Sequence, residues 1–226
     1  MSEGYPQRGF IVPGNATEVV LVRHGATVEA VPGKPFPLVG GHGDPPLGPE
    51  GERQSEALAE RLADERFEGL FVTPLQRTRQ TAAPLAARLR LEPVVVPELR
   101  EVHLGEWEGG EWRIRAATGD PLVRRVFEEE RWDLIPGGET MPSLAARVRA
   151  GIEVVVSTVG PGAAALVIAH GGVIAEACHQ ATGSRPFAFE AVDNTSISRI
   201  VVFAGGRWLL RGFNDTGHLQ AVFARD

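Results

Sequence analysis

A short apolar run near the start of the chain decides the fold: Val19-Val20-Leu21-Val22, which ends abruptly at Arg23-His24-Gly25. Consecutive apolar, mostly β-branched residues are typical of a strand that is buried on both faces, as strands of a parallel sheet are. The polar residues that follow directly are therefore expected at the carboxyl end of a buried strand. The same pattern returns further along the chain.

Strands and helices alternate after this run. Residues 69–72, 94–96 and 165–169 predict further buried strands, and residues 197–203 and 208–213 predict a hairpin with a glycine turn. Between them, the sequence predicts helices that begin at Pro49, at Thr73-Pro74 with Thr73 as the cap, at Pro142 and at Gly171. This alternation predicts an α/β fold, a three-layer α/β/α sandwich with a mainly parallel central sheet.

The length of the chain bounds its domain organisation. Its 226 residues correspond to one domain, or to one domain that carries an insertion. Residues 98–138 are polar, contain three tryptophans and show no single period, so we expect an excursion from the sheet, partly helical around residues 121–131. The prediction is a single domain over residues 1–226 with a cap-like excursion over the active site at about 98–138.

Composition and charge exclude several classes of protein. The formal net charge of -6 argues against a general nucleic-acid binder, because phosphate contacts need clustered Lys and Arg. No apolar run approaches the roughly 20 residues of a membrane span, and residues 1–15 lack the apolar core of a signal peptide. Cys178, the only cysteine, allows no intrachain disulfide and no cysteine-based zinc site. We therefore expect a cytoplasmic protein without a nucleic-acid or membrane partner.

Polar residues that end the predicted strands should meet at one edge of the sheet, since ligands bind where the carboxyl ends of parallel strands gather. This edge would collect His24, His170, Arg23 and Arg77. A guanidinium offers a planar fork of donors that matches phosphate oxygens, and an imidazole can act as a nucleophile. The glycine after each histidine is expected to allow close approach and to leave bare N–H groups, with helix N-termini pointing at the same place. The sequence thus predicts an anion site for a phosphoryl group.

Five segments resemble, in order, the signature of the histidine phosphatase superfamily, the phosphoglycerate-mutase-like group. The resemblance covers about residues 18–215 and is more specific than Arg-His-Gly alone. The matching segments are residues 21–27, 44–51, 73–82, 99–109 and 169–174.

The resemblance implies a two-step mechanism that requires no metal and no other cofactor. His24 attacks phosphorus and becomes a phosphohistidine. Glu101 protonates the leaving alcohol and then deprotonates the water that attacks the phosphoenzyme. Glu106 and Glu108 lie close by in the sequence, but Glu101 is our candidate for the acid. His42 and His103 are not assigned a catalytic role, and we expect His42 to be exposed in its loop.

A second group of residues is implied to hold the phosphate oxygens and to stabilise the charge that develops during transfer. Many family members carry, where this chain has Ala30, an asparagine that reaches the phosphate, and a glutamate where it has Ala26. Either the pocket is one donor short, or Thr27 or a loop residue compensates. The implied phosphate-binding residues are Arg23, Arg77, Thr27 and Gly171, and His170, counted with His24 and Glu101 as catalytic, helps to hold the phosphate oxygens.

The leading functional prediction is hydrolysis of small organic phosphomonoesters. Mutases of this group carry Arg and Tyr around the acid, where this chain has Val102 and Leu104. Phosphoglycerate mutation is one alternative, and a non-catalytic phospholigand-binding scaffold on the same fold is another. The expected partner is a small-molecule phosphate ester. The sequence leaves the oligomeric state open, a homodimer included.

Overall fold

The computed structural model describes residues 5–219 and is built around a six-stranded sheet. Its strands are β1 (Ala16–Arg23), β2 (Leu38–Val39), β3 (His42–Gly43), β4 (Gly69–Val72), β5 (Pro93–Val95), β6 (Ala164–Ala169), β7 (Ile197–Phe203) and β8 (Trp208–Asp215). The sheet has the order β5-β4-β6-β1-β7-β8, while β2 and β3 pair with each other.

Strand pairing in the sheet is mainly parallel, as the sequence predicts. β1 pairs parallel with β6, with Val22 opposite Ile168, and β4 pairs parallel with both β5 and β6. Only the hairpin of β7 and β8 runs antiparallel to its neighbours among the described strands of this sheet. The carboxyl ends of β1, β4 and β6 therefore lie side by side at one edge.

Helices cover both faces of the sheet. They are α1 (Pro49–Arg61), α2 (Gln76–Leu89), α3 (Glu111–Thr118), α4 (Pro121–Glu129), α5 (Met141–Val159) and α6 (Gly171–Thr182). Val20 of β1 belongs to one buried cluster with Leu58 of α1 and Leu85 of α2, whereas the adjacent Val19 belongs to another with Ile152 of α5. Successive side chains of a strand point to opposite faces, so the predicted three-layer α/β/α arrangement is confirmed.

Helix α2 begins later than the sequence predicts. Its first residue is Gln76, and Thr73 is not its cap. The Gln76 amide donates to the Asp44 carboxylate over 2.8 Å, so a side chain from the preceding loop already occupies this helix end. The Thr73 hydroxyl lies instead 2.9 Å from His170 Nε2. Asp44 therefore occupies one amide at this helix N-terminus, and the expectation that this helix end points toward the anion site stays a prediction.

Residues 98–138 leave the sheet and form short elements beside its edge. They include α3 and α4, of which α4 matches the helix expected around 121–131, and the three tryptophans pack together. The ring centroid of Trp112 lies 5.9 Å from that of Trp107 and 5.3 Å from that of Trp132. The division into one domain with a cap stays a prediction. Within residues 5–219, every helix is too short or too polar to cross a bilayer.

Candidate active site

The edge of the sheet brings together two histidines and an arginine that are far apart in the sequence. His24 follows β1, His170 follows β6, and Arg77 lies in the first turn of α2 after β4. The ring centroids of His24 and His170 are 5.2 Å apart, and Arg77 Nε lies 3.1 Å from His24 Nε2. All three side chains are buried. They form one cluster that can contact a single small ligand.

Hydrogen bonds fix the orientation and the tautomer of His24. Its Nδ1 lies 2.8 Å from the Gly25 carbonyl and donates to it, while Nε2 accepts from Arg77 Nε. Burial, together with the positive charges of Arg77 and Arg23, holds the pKa of His24 well below its usual value. The imidazole is therefore neutral at physiological pH and has its lone pair on Nε2, which is the form that can attack an electrophile.

His170 is the N-cap residue of α6, and a hydrogen bond from Thr73 holds its ring. Its Nε2 is hydrogen-bonded to the Thr73 hydroxyl, and its Nδ1 is buried without a hydrogen-bond partner. Burial and the charge of Arg77 hold the pKa of His170 well below its usual value. A buried nitrogen without a partner is costly, so Nδ1 is an atom that a ligand would satisfy.

Two guanidiniums bring positive charge to this cluster. Arg77 Nη1 donates to the Gly43 carbonyl over 2.8 Å and lies 3.9 Å from the Asp44 carboxylate. Arg23 donates through Nη1 to the Val192 carbonyl, while its Nε is buried without a partner. Burial lowers the pKa of both side chains, yet a guanidinium stays protonated in proteins. The cluster therefore carries two positive charges, on the buried Arg77 and the half-buried Arg23, with donor capacity to spare.

Gly25 serves packing rather than ligand approach. A Cβ at Gly25 would lie 2.7 Å from the Gly51 carbonyl oxygen, so the residue has to be glycine for the end of β1 to pack against α1. Its amide donates to the Thr81 hydroxyl over 2.9 Å. The prediction of a bare N–H at this position is therefore wrong. The Thr27 hydroxyl also has a partner within the chain, because it donates to the carbonyl of Val28 over 3.3 Å.

A cavity of about 270 Å³ opens onto the cluster. Segments remote in the sequence supply its walls, and the loop at 36 and the excursion at 98–138 add aromatic side chains. The predicted site residues that line it are Arg23, His24, Arg77, Glu101 and Gly171, whereas Thr27 and the buried His170 do not.

Glu101 reaches this cavity from the start of the excursion at 98–138. Its Oε1 accepts from the Val102 amide over 3.0 Å. The start of α6 packs closely against this segment: a Cβ at Gly172 would lie 2.5 Å from Val102 Cγ2 and 3.1 Å from Glu101 Oε1. The glycine thus allows the carboxyl group to sit beside the first turn of α6, within the same cavity as His24.

The two neighbouring acids have other surroundings. Glu108 accepts from the Gly43 amide over 2.7 Å and from the Leu104 amide over 2.9 Å, which ties two loops together. Glu106 lines a second cavity rather than the one at His24, although Trp107 and Glu108 line both. Glu101 and Glu108 therefore both line the cavity at His24, but each carboxylate oxygen of Glu108 already accepts a backbone amide.

The sequence does not predict that two charged residues, Arg113 and Glu190, line the cavity. Arg113 lies on α3, and a helix of eight residues is too short for its apolar pattern to predict which way each side chain points. On that helix Arg115 is paired with Glu111 at 2.8 Å, whereas Arg113 faces the cavity. Burial and the nearby charge of Arg23 lower the pKa of Arg113. No motif marks Glu190, which lies in the irregular segment between α6 and β7.

Glu190 is held in its protonated form. Burial and the negative charge of Glu101 raise the pKa of Glu190 to about 8, from the value near 4.5 of a free side chain. In the unfolded chain the carboxyl group ionises above about pH 4.5. Stability contributed by the neutral folded form is therefore complete below that pH and is lost as the pH rises toward 8.

We expect Glu190→Gln to become more stable than wild type as the pH increases from 4.5 to 8. The amide cannot ionise, so the difference in free energy of unfolding should reach at least about 1 kcal/mol at pH 8. Urea unfolding at a series of pH values measures it. Glu153→Gln, an exposed change on α5, is the control and should show no such trend. A constant difference between Glu190→Gln and wild type across this range would contradict the assignment.

Comparisons with known proteins identify the family of the chain. Residues 19–216 match the family model described as the histidine phosphatase superfamily (branch 1). "Phosphoglycerate mutase-like protein 4" of Arabidopsis thaliana is 32% identical, with 90% of this chain and 87% of the relative aligned. "Metal-independent phosphoserine phosphatase" of Arabidopsis thaliana is 30% identical, over 93% and 87%. The structure of a mycobacterial glucosyl-3-phosphoglycerate phosphatase superposes with a TM-score of 0.72 at 28% identity, over 89% and 100%. The chain belongs to the histidine phosphatase superfamily.

Proposed function

We propose that this protein is a phosphomonoester hydrolase that acts through a phosphohistidine on His24 and needs no metal ion. One observation carries the proposal: the lone pair of a neutral imidazole, His24 Nε2, is 3.1 Å from a buried guanidinium donor. The centroid of the His170 ring lies 5.2 Å from that of His24, and all three groups are buried. A nucleophile inside a cationic pocket suits a substrate whose reacting group is a phosphate.

In the first step, His24 Nε2 attacks phosphorus and the bond from phosphorus to the ester oxygen breaks. Arg77, Arg23 and His170 bind the oxygens of the phosphoryl group and stabilise the charge that develops on them. Glu101, which takes up a proton from solvent when the ester dianion binds, transfers that proton to the departing oxygen, so that the alcohol leaves neutral. The Nδ1–H bond to the Gly25 carbonyl holds the ring while Nε2 becomes bonded to phosphorus.

In the second step, water replaces the alcohol in the cavity. Glu101, now a carboxylate, takes a proton from the water, whose oxygen attacks phosphorus. The bond between phosphorus and Nε2 breaks, inorganic phosphate leaves, and His24 returns to its neutral form. The same carboxyl group thus serves as acid and then as base, which its position in the cavity of His24 supports.

Glu101→Gln is expected to lower kcat/KM, which reports the first step, in a way that depends on the leaving group. The amide cannot donate a proton that an alkoxide needs, so kcat/KM for an alkyl phosphate should fall by about 10²-fold or more. The kcat/KM for p-nitrophenyl phosphate should fall much less, since p-nitrophenolate leaves without protonation. Steady-state kinetics with both esters measures this, with Glu106→Gln as the matched control. Equal losses for the two esters would remove Glu101 from the role of acid.

The organic part of the substrate is proposed to be small and partly apolar. The remaining cavity is lined by Val102 and Leu104 and by aromatic side chains such as Trp112 and Phe127. These groups offer contact area rather than fixed hydrogen bonds, which suits several esters of similar size. The mycobacterial phosphatase named above acts on a glucosyl-3-phosphoglycerate, which supports a small phosphorylated metabolite as the substrate class.

One observation favours phosphoglycerate mutation as the second candidate. Arg113 adds a third guanidinium to the cavity beyond the two beside His24, and a third cation could bind the carboxylate of a phosphoglycerate. Arg113 is also our candidate for the donor that the missing asparagine would supply, because Ala30 packs near Gly110, where a Cβ would lie 3.1 Å from Ala30 Cβ, three residues before Arg113. The expected compensation by Thr27 has no such support.

Incubation with phosphate esters tests the proposal. In buffer with EDTA, the protein should release inorganic phosphate from p-nitrophenyl phosphate and from at least one small alkyl phosphate. With 3-phosphoglycerate, the products decide between the candidates: release of phosphate supports the hydrolase, and 2-phosphoglycerate without phosphate release supports the mutase. Tight binding of inorganic phosphate or vanadate with no turnover of any ester would favour the non-catalytic scaffold instead.

A further inference from the structure

A second cluster of metal-ligating side chains lies beside the active-site cavity. His42, His103 and Glu108 each bring one potential ligand atom within 4.8 Å of the other two. The ring centroids of the two histidines are 5.1 Å apart, and His103 Nδ1 lies 3.3 Å from Glu108 Oε1. None of these side chains takes part in the phosphoryl transfer described above.

His42 is arranged as metal-ligating histidines are. Contrary to the expectation of an exposed side chain, the residue is only 5% exposed. Its Nδ1 lies 3.1 Å from the Gly40 carbonyl and donates to it, which leaves the lone pair on Nε2. Nε2 is buried and has no hydrogen-bond partner. Donation from one ring nitrogen to a backbone carbonyl, with the other left bare, is the usual second-sphere pattern around a metal ion.

The other two groups are also oriented and available. Backbone amides of Gly43 and Leu104 bind one oxygen each of the Glu108 carboxylate and hold it in place. Each carboxylate oxygen accepts more than one bond, so both keep a lone pair. His103 Nδ1 is buried without a hydrogen-bond partner, although 41% of the side chain is exposed. The cluster therefore presents three donors whose positions other parts of the chain fix.

We propose that His42, His103 and Glu108 bind a divalent transition-metal ion, with Zn²⁺ the best match. Two imidazole nitrogens and one carboxylate form a ligand set that zinc uses when it retains an open coordination position. Mg²⁺ and Ca²⁺ prefer oxygen ligands only, so the two histidines select against them. The proposed ion takes no part in phosphoryl transfer, which is proposed to proceed without a metal.

The proposed ion would be connected to the active site through Gly43. The amide of Gly43 donates to Glu108, and its carbonyl accepts from Arg77 Nη1. His42 and Glu108 line the same cavity as His24. We therefore expect the open coordination position to face this cavity, where an oxygen of bound phosphate can complete the ligands of the ion. Binding of the ion should then strengthen binding of phosphate, and the reverse effect is equal because coupling between two sites is reciprocal.

A zinc titration tests the site without any need for turnover. Untagged protein freed of metal should compete with a chromophoric chelator for one equivalent of Zn²⁺. We expect His103→Ala and Glu108→Gln to weaken the affinity at least about tenfold, as loss of a ligand does. His103 is the safer variant because its side chain is partly exposed. His179→Ala removes an imidazole on α6, away from the cluster, and should leave the affinity unchanged.

Two results would overturn the assignment: wild-type protein that binds no stoichiometric Zn²⁺, or a His103→Ala variant that binds it as tightly as wild type. A second zinc titration is carried out with inorganic phosphate present. Tighter zinc binding with phosphate present supports the open position toward the cavity, and unchanged affinity contradicts it. Hydrolysis is assayed in EDTA, so failure of the zinc site and failure of the proposed hydrolase activity give separate results.

Discussion

Replacement of His24 by alanine should reduce kcat/KM for p-nitrophenyl phosphate by at least about 10³-fold, since the variant lacks the atom that bonds to phosphorus. The residual rate would come from the cationic pocket, where Arg23, Arg77 and His170 remain in place. Ground-state binding of inorganic phosphate should change far less than turnover, because the groups proposed to hold the phosphate oxygens are retained. Steady-state kinetics and a phosphate-binding titration measure the two effects.

A matched control separates this chemical effect from loss of structure. His179→Ala removes an imidazole from α6 outside the cavity and should keep nearly wild-type turnover. Thermal unfolding of both variants shows whether the fold persists. A folded His24→Ala protein that turns over more than about one tenth as fast as wild type would remove His24 from the role of nucleophile.

Arg77→Lys is expected to lower kcat by about 10²–10³-fold, although the positive charge is conserved. Arg77 donates through Nε to His24 and through Nη1 to the Gly43 carbonyl, so its planar group contacts both the nucleophile and the loop at 43. A lysine ammonium is a point charge on a flexible stem and cannot keep this fork of donors. Kinetics with p-nitrophenyl phosphate measures the loss, and Arg79→Lys on the exposed side of α2 is the control.

Arg77→Ala should also shift the pH dependence in a defined direction. Burial is the largest cause that lowers the pKa of His24, and the charge of Arg77 is the next. Loss of that charge allows the pKa of His24 to rise toward its ordinary value. Protonation of the nucleophile, and with it the loss of activity at acid pH, should then begin at a higher pH than in wild type. An acid limb that stays in place or moves to lower pH would contradict the electrostatic role of Arg77.

Much of this architecture can be predicted from local sequence patterns. The apolar runs around Val20, Phe71 and Val167 are too short for helices and too apolar for exposed strands, so they predict buried strands. Parallel pairing then places the residues after each run at one edge of the sheet. For this reason His24 and His170 can be expected to lie together, and the structure has their ring centroids 5.2 Å apart.

Other features depend on tertiary contacts that no local pattern encodes. Thr73 resembles a helix cap in the sequence, but its hydroxyl binds His170 because Asp44 satisfies the start of α2. His42 lies in a loop rich in glycine and proline and is predicted to be exposed, yet packing against the segment that carries His103 buries it. Glu190 reaches the cavity from an irregular segment, where no helical or strand periodicity predicts which way a side chain points.

Capture of the phosphoenzyme tests the central claim most directly. The protein is mixed with a radiolabelled phosphomonoester, quenched with base in the millisecond range, digested at neutral pH and mapped by mass spectrometry. We expect one phosphoryl group on the peptide that contains His24, stable to base and labile to acid as a phosphorus–nitrogen bond is, and none in His24→Ala. Label on a serine, threonine or carboxylate, or turnover with no labelled histidine under conditions that trap the intermediate, would contradict covalent catalysis by His24.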